Sequence, residues 1–294
     1  MSEVGEEWGQ REWNEAHFPT EQLDTLGDTW GFRWRGMERW RHARTLKMLK
    51  PLLRGTERKE VLEIGCALCD FTVRAWQLNT VNHFCGIDTV PTAIEWASRK
   101  FPQFELRVGA IPGIPFDKKF DVILCMEVLC YLEPDGRRET IHNIFDSLGP
   151  KGVLVFSGVL DGGVRHHTSE EALGLIGEKF EISQVVYNHW SLYRRLVEGP
   201  ADSIHARLSV MREKLALAPD DFERWRAAER GRMAALAGAL RQLGPAGRWL
   251  VSGMMSGTDF VRRRQFLPML GHHIERMVGG DDAADEIVVV ALKP

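Results

Sequence analysis

The sequence predicts a doubly wound α/β fold, a largely parallel sheet with helices on both faces. Three observations lead there. From residue 60 onward, apolar runs of strand length alternate with helical stretches, which is the rhythm of βαβ units. The first run ends at Gly65 and turns straight into a helix, and the second ends on an acid, Asp88. A last strand-like run, 286–292, returns after a long stretch that holds no convincing strand.

The elements follow in order. Residues 1–50 are polar and rich in tryptophan (Trp8, Trp13, Trp30, Trp34 and Trp40), and Met37, Trp40, Leu46, Leu49 and Leu53 have helical spacing. Strands are expected at 60–64, 83–87, 104–108, 122–126, 153–157 and 180–187. Helices are expected at 71–77, 90–101, 137–148 and 169–178, the second with Thr89 as N-cap ahead of Pro91. Residues 191–280 are rich in Arg, Ala and Leu; one long helix is expected from Asp220 or Asp221 to Gly244-Pro245. The organisation expected is a helical N-terminal extension or lid at 1–54, a sheet domain at 55–190 with 283–294, and a helical insertion at 191–282.

Composition narrows the function classes. The chain has 294 residues, 44% hydrophobic and 27% charged, enough for a real core. A net charge of −3 offers no global basic field for nucleic acid, so none is expected as a partner. The acidic stretch at 1–15 has no apolar run and no window suits a membrane span, so a cytoplasmic protein is expected. Five cysteines between Cys66 and Cys130 read as reduced thiols and not as a disulfide framework.

The stretch Val61–Thr72, VLEIGCALCDFT, poses the chemical question. Its Cys66-Ala67-Leu68-Cys69 could be a redox or metal motif at a helix start. No second Cys or His pair has zinc spacing, so no metal is expected. The other reading is a nucleoside-binding loop. In open α/β sheets ligands bind beyond the C-terminal strand ends. Gly65 permits a tight turn and close ligand approach, and Asp88, 23 positions on, can accept both hydroxyls of a ribose. Ala67 and Cys69 stand where a pyrophosphate loop carries glycines, so an uncharged or cationic nucleoside fits better.

VLEIGCALCDFT, FCGIDTVPTAIEWASRKF and FDVILCMEVLCYLEP, in this order and spacing, resemble the first, second and fourth motifs of class I S-adenosylmethionine-dependent methyltransferases. Within that superfamily, LEIGCA…FT with EVLCYLE is most similar to the nodulation-type N-methyltransferases, which modify an amino group of a chitooligosaccharide. The resemblance covers roughly residues 55–160 and implies a seven-stranded Rossmann-like sheet with its last strand reversed. It implies S-adenosyl-L-methionine as cofactor, leaving S-adenosyl-L-homocysteine as product. Carried over residue by residue, Glu63 and Gly65 would lie near the methionine part, with Cys66 and Ala67 giving backbone contacts and Phe71 beside them. Asp88 would hold the ribose, and Thr89 and Val90 would flank the adenine. Met126 and Glu127 would end the fourth strand beside the sulfonium and the acceptor. The run Val108-Gly109-Ala110-Ile111 departs from the family pattern, having no acid for the adenine amino group; the backbone of Ala110 and Ile111 would replace it.

Methyl transfer from a sulfonium is mainly an alignment problem, with deprotonation of the acceptor added. Glu127 is the candidate for orienting or deprotonating the acceptor; Tyr131, a helical turn on, and His166 or His167 are the other candidates. Trp34 and its neighbours could form an aromatic lid, and Arg33, Arg35, Arg39 and Arg41 could recognise an acidic group or lie exposed. The function expected is methylation of an amino group on a small natural product or aminosugar, with a homodimer compatible. The alternatives are a small-molecule O-methyltransferase and a binding module without catalysis.

Overall fold

The computed structural model describes residues 32–160, 166–229 and 231–294, apart from the side chain of Asp282. Trp8, Trp13 and Trp30 lie outside the described residues. The chain divides into two compact units. Among the described residues, the first comprises 32–33, 38–160, 166–189 and 276–294, and the second 34–37, 190–229 and 231–275.

The first unit is built on a seven-stranded sheet in the order β3-β2-β1-β4-β5-β7-β6. Its strands are β1 (Glu60–Ile64), β2 (His83–Asp88), β3 (Glu105–Val108), β4 (Phe120–Met126), β5 (Leu148–Val159), β6 (Glu181–Asn188) and β7 (Glu286–Leu292). The first five pair in parallel, and β7 runs antiparallel between β5 and β6. Both faces are covered, which is why the central strands are almost continuously apolar. Val61, Val122, Leu124, Val155, Val288 and Val290 face helices α1 (Gly36–Leu53), α2 (Asp70–Trp76) and α3 (Pro91–Lys100). Leu62, Ile64, Ile123, Leu154, Phe156, Ile287 and Val289 face α4 (Pro134–Ser147) and α5 (Ser169–Gly177). The alternation is the two-residue strand period sorting side chains between two cores.

Helix starts follow local chemistry. Thr168 and Glu171 form a capping box on α5. The N-cap of α3 is Val90 and not the expected Thr89, because Pro91 with its fixed φ takes the first helical position.

The second unit holds α6 (Gly199–Leu215), α7 (Pro219–Ala228), α8 (Arg232–Gln242), α9 (Pro245–Arg263) and most of α10 (Phe266–Gly279). Leu208, Met211, Leu215, Phe222, Ala237, Leu240, Val251 and Met255 form its core. The single helix expected after Asp220 is two. Gly231 is fully extended there and starts α8 afresh, while Asp220 and Asp221 lie inside the first turn of α7 behind Ala218.

Candidate active site

The C-terminal ends of β1, β2 and β4 bring most of the expected site residues to one edge of the sheet. After β1 the backbone turns through left-handed conformations at Gly65 (φ +75°), Ala67 (φ +43°) and Cys69 (φ +62°). Gly65 does not make the turn alone: two residues with a Cβ share it. The N–H groups of Gly65 and Cys66 both donate to the carbonyl of Ile87, at 2.8 and 3.0 Å. The Ala67 N–H donates to Oδ2 of Asp88 at 2.9 Å, and Oδ1 of Asp88 accepts from the Val90 N–H at 3.0 Å. Asp88 therefore braces the loop from the next strand. Burial raises its pKa, and these backbone donors oppose the rise.

Glu63 lies beneath the loop, only 4% exposed, and accepts a short bond from the Thr72 hydroxyl. Burial pushes its carboxyl up to about 8, with the charges of Asp70 and Asp88 adding to the rise. Cys66 and Cys69 are both buried and free. Their mutual hydrogen bond and burial hold the Cys66 thiol well above its ordinary value. A helix N-terminus that activated a thiolate would do the opposite. Gly86 makes room for the Cys66 side chain, since a Cβ at position 86 would meet the Cys66 sulfur at 2.7 Å.

At the end of β4, Glu127 adopts φ +56°, rare for a residue with a side chain. Its N–H donates to the Ser157 carbonyl at 3.0 Å, and its own carbonyl accepts from the Cys130 thiol. The next residue, Val128, puts a methyl group 2.5 Å from where a Cβ on Gly65 would lie. Gly65 thus lets the β1 and β4 loops close on each other. Beside them α1 brings Arg41, only 8% exposed. It bonds Glu286 at 2.7 and 3.1 Å and Glu38 at 2.8 Å, and it contacts Oε1 of Glu127. Asn188 donates to Glu286 at 2.6 Å. The sequence had suggested an acidic ligand or solvent for Arg41; its acidic partners are in its own chain. The Glu38–Arg41 spacing of three on a helix was the available signal.

The remaining expected residues lie as follows. Met126 is half-buried, Thr89 and Ala110 are exposed, Ile111 is half-buried and Val90 is buried. Phe71 is buried in the core with its ring edge-on to His42, so its side chain is away from the loop surface. Tyr131 is 60% exposed in a 3-10 turn, Leu129–Tyr131. His167 is buried edge-on to Phe156, and burial lowers its pKa to about 4; His166 is half-buried. Trp34 belongs to the second unit, where the guanidinium groups of Arg35 and Arg262 lie over its ring at 4.8 and 4.4 Å. Arg35 pairs there with Asp202 and Glu198.

Among the described residues one group has metal-ligand chemistry, Glu60, His83 and Cys85. It lies at the opposite end of the strands, and the Lys118 ammonium already bonds Glu60, Glu105 and His83. It reads as an ion-pair network.

Residues 61–152 match the model of a family described as a methyltransferase domain. The chain is 29% identical over 142 residues to nodulation protein S of Sinorhizobium fredii (strain NBRC 101917 / NGR234), across 47% of this chain and 63% of that protein. The matched stretch is thus under two thirds of that relative's length. Among solved structures, N-methyltransferase NodS from Bradyrhizobium japonicum WM9, in complex with S-adenosyl-L-homocysteine, is 27% identical at a TM-score of 0.49, over 59% of this chain and 90% of that one. Coclaurine N-methyltransferase, bound to N-methylheliamine and S-adenosyl-L-homocysteine, shares the fold at a TM-score of 0.51 and 11% identity, over 86% of this chain and 72% of that one.

Proposed function

We propose that this chain, whose residues 61–152 match a methyltransferase domain, is a class I S-adenosylmethionine-dependent methyltransferase that methylates an amino group of a small molecule. The observation that carries the reading is Asp88, half-buried at the end of β2. Its oxygens accept the Ala67 and Val90 N–H groups, with the Thr89 N–H as a further backbone donor. An ionised carboxylate has about four acceptor positions, so it can still accept from a hydroxyl. That acceptor suits a ribose. Gly65, exposed and without a Cβ, leaves the loop surface open beside it.

Asp88 would hold the ribose, Thr89, Val90, Ala110 and Ile111 would flank the adenine, and Glu63, Gly65, Cys66, Ala67 and Met126 would line the amino-acid end. The bound cofactor supplies an activated methyl group, so the protein's part is chiefly to align the acceptor. Glu127 would orient that acceptor. An amine asks least of the site, because it needs no strong base to become nucleophilic.

Calorimetric titration with S-adenosyl-L-homocysteine tests this. The wild type is expected to bind in the micromolar range or tighter, and Asp88→Ala to lose most of that affinity. No binding up to about millimolar ligand, roughly −4 kcal/mol, would refute the enzyme reading. Undiminished affinity in Asp88→Ala would refute the ribose assignment.

A further inference from the structure

We propose that Arg41 is the positioning residue for Glu127, fixing one carboxylate oxygen so that the other is presented to an amine acceptor as a counter-charge. The inference rests on the reading above and goes further: it names what holds the acceptor acid and what acceptor chemistry that favours.

The guanidinium of Arg41 has little freedom. Nε and Nη2 bond Glu286, Nη1 bonds Glu38, and Nη2 also touches Oε1 of Glu127. Burial opposes its charge, but the carboxylates of Glu286 and Glu38 more than offset that, so its pKa is raised. Glu286 is itself tied to Asn188 across the β6–β7 pair. Arg41 is therefore anchored to α1, β6 and β7 before it reaches Glu127. The two oxygens of Glu127 differ: Oε1 is buried and faces Arg41, whereas the side chain as a whole remains about a third exposed. The left-handed backbone at Glu127 costs roughly 1–3 kcal/mol at a non-glycine residue and persists where the surroundings over-determine it. Contact with Arg41 is one such constraint, and the bond to Ser157 is another.

A carboxylate held against a guanidinium is a poor base but a good hydrogen-bond acceptor and counter-ion. An amine nitrogen can donate an N–H to it while its lone pair attacks. As the N–C bond forms and the S–C bond breaks, the positive charge passes from sulfur to nitrogen, where the carboxylate stabilises it. The proton leaves the nitrogen afterwards to water. A hydroxyl acceptor would need the proton removed first, which a group committed to Arg41 does poorly.

The test uses binding alone, with sinefungin, the cofactor analogue that carries a protonated amine on carbon in place of the methylsulfonium, against S-adenosyl-L-homocysteine. Wild type is expected to prefer sinefungin by about tenfold, roughly 1.4 kcal/mol, with little change between about pH 5.5 and 8. Glu127→Gln should bring the preference close to one while homocysteine-product affinity stays within about twofold. In Arg41→Met, Glu127 keeps Glu38 and Glu286 as neighbours but loses the cation between them. Of the other charged groups, Arg44 and Arg276 lie on the side of Glu286, and His42 is held neutral. Carboxylates crowded in this way take up a proton more readily, so the preference should decline as pH falls across that range. Arg41→Lys should restore the flat profile.

Retention of the preference in Glu127→Gln, a wild-type ratio near one, or an Arg41→Met profile as flat as wild type overturns the inference. If Arg41→Met does not fold, Glu127→Gln and Arg41→Lys decide it. Failure of S-adenosyl-L-homocysteine to bind wild type would overturn the enzyme reading itself, so the two failures are distinct.

Discussion

Replacing Gly65 by alanine tests how the two loops of the site fit together. Two costs can be separated. Gly65 sits at φ +75°, where a residue with a Cβ pays about 1–2 kcal/mol. The new Cβ would also lie 2.5 Å from Cγ2 of Val128, an overpacking worth about 1–3 kcal/mol. The sum, about 2–5 kcal/mol, is a large share of the ~5–15 kcal/mol that folds a typical domain. Urea denaturation followed by tryptophan fluorescence would read it as a lowered midpoint. The partition is tested in a Val128→Ala background, where the methyl group in the way is gone. There the cost of Gly65→Ala should shrink to the backbone part, about 1–2 kcal/mol. A cost below about 0.5 kcal/mol in the wild-type background, or an equal cost in both backgrounds, would show that the β1 and β4 loops do not close as described.

Ala67→Gly should stabilise by a few tenths to about 1 kcal/mol, because a left-handed φ of +43° suits glycine; a clear loss in a urea melt would refute this. Iodoacetamide on the native protein should modify Cys130 first, since the other four thiols are buried, and mass spectrometry would count the adducts; early labelling of Cys66 or Cys69 would revive the redox reading. The folded protein holds Glu63 protonated up to about 8, so its stability contribution is complete below the ordinary carboxyl range and is lost as pH rises toward that value; Glu63→Gln should flatten this decline in urea midpoints. His42 acts oppositely. Burial and neighbouring Arg41 and Arg74 lower its pKa to about 3, so stability is complete above about 6.5 and falls as acid charges the unfolded chain first. His42→Gln should weaken that acid loss.

The sheet was legible because strand periodicity is local. Each predicted strand lies on an observed one, and the Gly65 and Asp88 positions follow from where strands end. What lies across the fold was harder to read. Arg41 and Glu286 are far apart in sequence and meet only because β7 inserts between β5 and β6, beside α1. The sheet of the first unit also tolerates Gly-poor turns that a glycine rule misses, because hydrogen bonds donated to Asp88 and Ile87 hold Ala67 and Cys66 in place. The break between α7 and α8 was hidden by strong helix formers on both sides.

Backbone strain concentrates at the candidate site. Among the described residues, four without glycine's freedom adopt positive φ: Ala67, Cys69, Glu127 and Lys151. Three of them lie at the same edge of the sheet, in the loops after β1 and β4. Such backbone costs energy that folding alone would remove by substitution. In the β1 loop the cost is offset locally: the Ala67 N–H is used by Asp88, and the Cys69 N–H by the Cys66 carbonyl at 2.7 Å. At Glu127 the offset comes from Ser157 and Arg41. The two cysteines that first suggested redox chemistry are therefore parts of this geometry. Cys66 fills the space that Gly86 leaves, and Cys69 turns the chain into α2 with its thiol buried. A loop held by its neighbours' hydrogen bonds instead of by its own glycines stays in the shape that puts Gly65 against Val128, and so keeps Asp88 and Glu127 at one edge of the sheet.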